Sequence, residues 1–180
     1  MSDFIAPKSS GLMDTLGMFA VTSGPELENM AEDLKAKNDD YNCIMLKALS
    51  DRLAEALAEW AHKKVRISHG YGENENLSVN DLIFEKYRGI RPAPGYPACP
   101  DHTTKLQMWK LMDVEKRTGI KLTENLAMYP GSSVSGLYFH SEKAKYFHVG
   151  PIGDDQLKTY CEARKISEAE AKRWLTLYSS

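Results

Sequence analysis

The stretch from Arg91 to Pro100 reads RPAPGYPACP, and its prolines at 92, 94, 97 and 100 constrain the fold more than any other feature of the chain. Each proline holds φ near about −65°, removes a backbone donor and pushes the preceding residue toward extended geometry. The decapeptide can be neither helix interior nor central strand. Any fold open to this chain must accommodate a stiff, irregular ribbon there, so the purpose of the ribbon becomes a question about function.

Regular elements are legible on both sides of it. Residues 15–22 (TLGMFAVT) are apolar and β-prone and predict a strand. Pro25, well placed at a first helical position, opens a helix to Lys37 with Leu27, Met30, Ala31 and Leu34 on one face. Asp39 and Asp40 are N-cap candidates for a long amphipathic helix to about Lys64, in which Leu46, Leu49, Leu53, Leu57 and Trp60 fall within a narrow arc expected to face the core. Ser78 and Asp81 cap a short helix through Tyr87, closed by Gly89. After the ribbon, Asp101 or Thr103 caps a helix through Arg117, with Met108, Leu111 and Met112 inward and Gly119 as its stop. Residues 122–129 and 134–140 predict strands, and residues 141–144 turn the second into a hairpin with 145–149. Two helices close the chain, one over residues 154–164 and one begun by the capping box Ser167 to Glu170. No βαβ rhythm is present, and the tight late turn implies antiparallel pairing. The expected class is α+β, a twisted antiparallel sheet flanked by several helices.

Composition removes several function classes. A length of 180 residues fits one domain with a real core, and no boundary divides it. No apolar run approaches the roughly 20 residues that a membrane span needs. Lys+Arg 23 against Asp+Glu 25, without a basic cluster, argues against a nucleic-acid partner. The start MSDFIAPKSS carries no targeting pattern, which makes the cytoplasm the default location. Cys43, Cys99 and Cys161 are widely spaced and read as reduced thiols, and the histidines show no metal-ligand spacing, so no protein-bound metal is expected.

A pre-stiffened ribbon can present its remaining backbone groups to a ligand with little ordering entropy left to lose, and Ala93, Gly95 and Ala98 keep that approach open. Arg91 offers a bidentate carboxylate grip, and Tyr96 an aromatic face with a hydroxyl. The plainer alternative is a loop that joins two helices, with Arg91 on the surface and Tyr96 in the core. Cys99 has no identifiable base nearby, and no catalytic side chain is expected.

GIRPAPGYPACPDHT closely resembles the signature of the S-adenosylmethionine-binding activation domain of cobalamin-dependent methionine synthase. The similarity extends through SDFIAPK, DDYNCIMLKALSDRLAEA, GENENL, KLTENLAMYPGSSVSGLYF and SEAEAKRWL, nearly the whole chain. The resemblance implies a repair function, in which S-adenosylmethionine gives its methyl group to cobalamin that has been oxidised to cob(II)alamin, with an electron from flavodoxin or a flavoprotein reductase. It implies ligand contacts at Arg91, Ala93, Gly95, Tyr96 and Ala98, with Glu55 from the long helix and Tyr146 from the hairpin. On that carry-over Arg91 pairs with the methionyl carboxylate, Ala93 and Ala98 read the adenine edge, and Tyr96 and Tyr146 approach the sulfonium. Glu55 meets the ammonium group or a ribose hydroxyl. Asp51 is placed facing the cobalamin-bearing module, which this chain does not contain.

Without the resemblance, Asp51, Glu55 and His62 lie almost opposite the leucine face and read as solvated surface. The family's activation domain is also about twice this length, so residues 1–180 correspond to its C-terminal portion and cannot by themselves make methionine. Two other functions remain open: an interaction module that docks a flavoprotein or the cobalamin-bearing partner with little ligand affinity, and a stand-alone S-adenosylmethionine sensor.

Overall fold

A computed structural model describes residues 1–175. After two short 3-10 turns the elements are β1 (Gly17–Thr22), α1 (Pro25–Ala36), α2 (Asp40–Ser68), α3 (Val79–Ile83), α4 (Thr104–Met112), α5 (Val114–Thr118), β2 (Lys121–Leu122), β3 (Met128–Tyr129), β4 (Ser133–Tyr138), α6 (Asp154–Arg164) and α7 (Glu168–Trp174). The class is α+β, with β1 antiparallel to β4 and β2 antiparallel to β3 in two small sheets.

Local chemistry explains most boundaries. Asp39 accepts the Asn42 N–H and starts α2, Ser78 and Asp81 form a reciprocal capping box on α3, and Ser167 accepts the Glu170 N–H at the start of α7. The single helix expected through Arg117 is broken at Asp113, whose φ of 52° is left-handed, and resumes as α5 until Gly119. Within it Met108 is buried while Leu111 is 71 % exposed, so the inward face is narrower than expected. The strand expected over 122–129 is instead a hairpin: the Leu126 N–H returns to the Thr123 carbonyl, and Leu126 takes a positive φ between β2 and β3.

The second expected hairpin does not form. Residues 145–149 carry no strand, and the segment ties to the ribbon instead, through the Val149 N–H to the Pro97 carbonyl and through the Tyr146 hydroxyl. A proline-rich partner has too few donors to build a ladder, which leaves isolated bonds where a strand pair was expected.

The central strand is β4. One edge pairs with β1 from Gly17↔Tyr138 to Thr22↔Ser133. The other receives the start of the ribbon: Ile90 and Phe139 exchange both backbone bonds, and the Leu137 N–H reaches the Pro92 carbonyl at 3.0 Å. Pro92 has no N–H to return, so pairing stops there and the chain leaves the sheet. Gly136 makes the crossing possible, because a Cβ there would lie 2.7 Å from Phe19 and 2.9 Å from the Pro92 carbonyl oxygen.

Helix α2 packs across this sheet in the orientation opposite to expectation. Its buried residues are Cys43, Ser50, Ala54, Ala58, His62 and Arg66, whereas Leu49, Leu53 and Trp60 are each more than half exposed and Leu46 is only partly covered. The cause is steric: Ala58 packs against Phe19 and Tyr138, and small side chains let the helix axis approach the sheet closely. His62, expected at the surface, is fully buried and stacks on Tyr138 with ring centroids 4.9 Å apart.

Candidate functional site

The polar groups on the inner face of α2 and the ribbon meet at one place. Glu55 and Glu59 stand one helical turn apart, followed by His62 and Arg66, so a single face of α2 carries four ionisable residues toward the β4 side. Arg66 is completely buried and its Nε and Nη2 grip Glu75 at 2.9 to 3.0 Å. Its guanidinium lies 4.0 Å over the Tyr87 ring, and the His62 ring meets Tyr87 edge-on at 5.0 Å. Burial, reinforced by the Arg66 and Arg91 charges, depresses the His62 pKa to about 3, so the imidazole is neutral at physiological pH.

Between α2, the ribbon and β4 opens a cleft of about 730 Å³, within the range of small-molecule sites. Glu55, Arg91, Ala93, Tyr96, Ala98 and Tyr146 all line it. Tyr96 is 65 % exposed and Arg91 is largely covered, the reverse of the plain loop reading that set Arg91 outside and Tyr96 within. Pro92, Pro94 and Ala98 are buried and hold the ribbon down, while a tight bond from the Gly95 N–H to the Cys99 carbonyl (2.7 Å) folds it back on itself.

Arg91 is held on two sides. Its backbone N–H donates to the Tyr146 hydroxyl at 3.1 Å, which fixes the side wall formed by residues 145–149. Its Nη1 donates to Glu59 Oε2 at 2.6 Å and to the Tyr87 hydroxyl at 2.5 Å. Nε and Nη2 carry no partner among the described residues, so one edge of the fork remains for a carboxylate.

Gly95 is not a wall residue. It sits at φ 98°, and a Cβ there would fall 2.1 Å from the His102 ring, so the close approach it permits is to an imidazole that itself lines the cleft. Asp51 lies one turn before Glu55 and accepts the Ser132 hydroxyl at 2.7 Å, outside the cleft lining. Cys99 is partly buried, and burial together with Asp101 pushes its thiol pKa up, away from a thiolate at neutral pH.

Sequence reasoning missed Glu59, Glu85, His102 and Lys105. Glu85 lines the cleft from a positive φ of 51° just after α3. Lys105 is buried, donates to the Leu126 carbonyl at 2.9 Å, and has its pKa lowered by desolvation. Glu59 alone had a sequence signal, since it is the residue four after Glu55 and shares its face.

Fold and cleft define an α+β module built around a ligand-sized cleft. The chain belongs to the family of the vitamin B12 dependent methionine synthase activation domain, whose model matches residues 1–165. It is similar, at 55 % identity and a TM-score of 0.94, to a crystal structure of the MetH reactivation domain bound to AdoHcy. That similarity covers 97 % of this chain and 54 % of the other, so the present chain spans about half the length of its solved relative.

Proposed function

We propose that the cleft binds S-adenosylmethionine and presents its methyl group for the reductive methylation of cob(II)alamin carried by a partner module. One electron from flavodoxin or a flavoprotein reductase brings the cobalt to its nucleophilic reduced state, the methyl carbon forms a bond to it, and the S–CH3 bond breaks with its electron pair left on sulfur. The products are methylcobalamin and S-adenosylhomocysteine. The protein contributes proximity and orientation, since the reduced cobalt is the nucleophile.

The observation that carries the reading is the convergence of Glu55, Arg91, Ala93, Tyr96, Ala98 and Tyr146 on one cleft in a chain similar to an AdoHcy-bound domain. The charge pattern suits the ligand. Arg91 offers its open edge to the α-carboxylate, and the Glu55 and Glu85 carboxylates face a ligand bearing an ammonium and a sulfonium. On this reading Tyr96 and Tyr146 supply electron-rich faces for the sulfonium, and backbone groups at Ala93 and Ala98 read the adenine edge. Gly95 acts through His102, and Asp51 stands toward the cobalamin-bearing module. The free thiols suit a reducing cytoplasm.

Residues 1–180 are, on this reading, the C-terminal portion of an activation domain, one part of methionine synthase that does not make methionine alone. The uncovered leucine ridge of α2 supports it, because apolar patches of that kind mark contact surfaces. The same ridge favours a second reading, an interaction module with little ligand affinity. Calorimetry with S-adenosylmethionine separates them: Arg91→Ala is expected to weaken binding by about 10- to 100-fold, as for loss of a charge-assisted bidentate pair. Equal binding by both proteins would remove Arg91 from the site, and co-elution with flavodoxin without any heat of ligand binding would favour the second reading.

A further inference from the structure

We propose that Glu59, which does not line the cleft, is the positioning residue that makes this site select ligands carrying a carboxylate. The inference rests on the binding function proposed for the cleft and adds the device that sets its selectivity.

An arginine in a cleft wall is a long, flexible cation, and a ligand must freeze it before using its fork. Here that ordering is done in advance. Glu59 Oε2 takes Nη1 at 2.6 Å, and the Tyr87 hydroxyl accepts from the same Nη1 while donating to the same carboxylate oxygen at 3.3 Å. The ion pair is sheltered, with the Arg91 and Glu59 side chains 16 % and 22 % exposed. Tyr87 cannot swing away, because Arg66 covers one face of its ring, His62 meets it edge-on, and Glu75 pins Arg66. The other oxygen of Glu59, Oε1, is buried without a partner among the described residues, so the bonds this carboxylate makes there run through Oε2, to Arg91 and Tyr87.

The result is a guanidinium clamped along its Nη1 edge from behind. Arg91 lines the cleft, and its Nε and Nη2 carry no partner among the described residues, an edge suited to a planar two-point acceptor such as the α-carboxylate of an amino-acid moiety. Glu59 acts through Arg91 and touches no ligand; it also offsets the buried charge, so the empty site does not hold a bare guanidinium.

The test compares two ligands that share adenosine and a thioether sulfur: S-adenosylhomocysteine, which has the amino-acid carboxylate, and 5′-deoxy-5′-methylthioadenosine, which lacks it. In calorimetric titrations of the full chain, Glu59→Gln is expected to weaken S-adenosylhomocysteine by about tenfold while changing methylthioadenosine by about twofold or less, the size of one charge-assisted contact. Tyr87→Phe keeps the ring and removes the second acceptor; it is expected to shift the two affinities apart in the same sense, by about threefold. Equal losses for both ligands, unchanged affinity for S-adenosylhomocysteine, or tighter binding of it would overturn the proposal, and the Tyr87→Phe comparison decides alone if Glu59→Gln does not fold. A wild-type chain that binds neither ligand would overturn the cleft's proposed function, and this inference with it.

Discussion

The two faces of α2 have exchanged the roles that their residue types suggest. One carries Leu49, Leu53, Leu57 and Trp60 and looks into solvent; the other carries Ala54, Ala58, His62 and Arg66 and lies against the sheet. Side-chain size accounts for the exchange better than hydrophobicity does. Alanines allow a close approach to β4, and on their face Arg66 pairs with Glu75, Glu59 with Arg91 of the ribbon, and the His62 ring packs against Tyr87 and Tyr138. The inner face serves the cleft, and the outer face is available to another surface.

That contrast can be broken most sharply at Glu75. Glu75→Ala leaves the Arg66 guanidinium buried without its counter-charge and is expected to lower stability by about 3–5 kcal/mol, the cost of stranding one member of a buried ion pair. Chemical denaturation measures it, and a loss below about 1 kcal/mol, typical of an exposed pair, would mean that the inner face is wetter than it looks.

The next effect is acid sensitivity. His62 has a folded pKa of about 3 against an ordinary value near 6.5, so between those limits the unfolded chain binds the extra proton and the folded chain does not. The contribution is fully present above about pH 6.5 and falls by up to about 1.4 kcal/mol per pH unit as the pH drops toward 3. Unfolding measured across this window should show a shallower slope for His62→Phe than for the wild type; identical slopes would place the imidazole in water.

The smallest effect belongs to the outer face. Leu53→Ala is expected to change stability by about 0.5 kcal/mol or less, as for an exposed position. A cost of about 2 kcal/mol or more, typical of a core leucine, would show that the ridge is already covered in solution.

Much of the scaffold was readable from residue chemistry. The caps at Asp39, Ser78 and Ser167, the opening of α1 at Pro25 and the antiparallel strand at residues 133–138 follow from local rules, and local rules were enough there. The orientation of α2 was not readable, because periodicity identifies a helix and its apolar arc but cannot say whether that arc faces this chain's own sheet. Residues 145–149 failed for a related reason: their partner is the ribbon, and strand propensity says nothing about a partner that cannot donate. Of the cleft, Arg91 and Tyr96 were visible because proline and glycine surround them. Glu59 could be placed on the face of Glu55 by its spacing, but its role and that of Tyr87 appear only when a helix and a distant loop are brought within hydrogen-bonding distance.

The single acceptor that Pro92 offers to β4 also matters for how the molecule meets its neighbours. A strand edge that could both give and receive bonds would recruit any extended peptide, including another copy, and initiate aggregation. The ribbon occupies that edge of β4 at Ile90 and Pro92 and, where Pro92 cannot donate, turns aside to line the cleft with Ser133 and Ser135, so one imino acid both ends the ladder and begins the cleft wall.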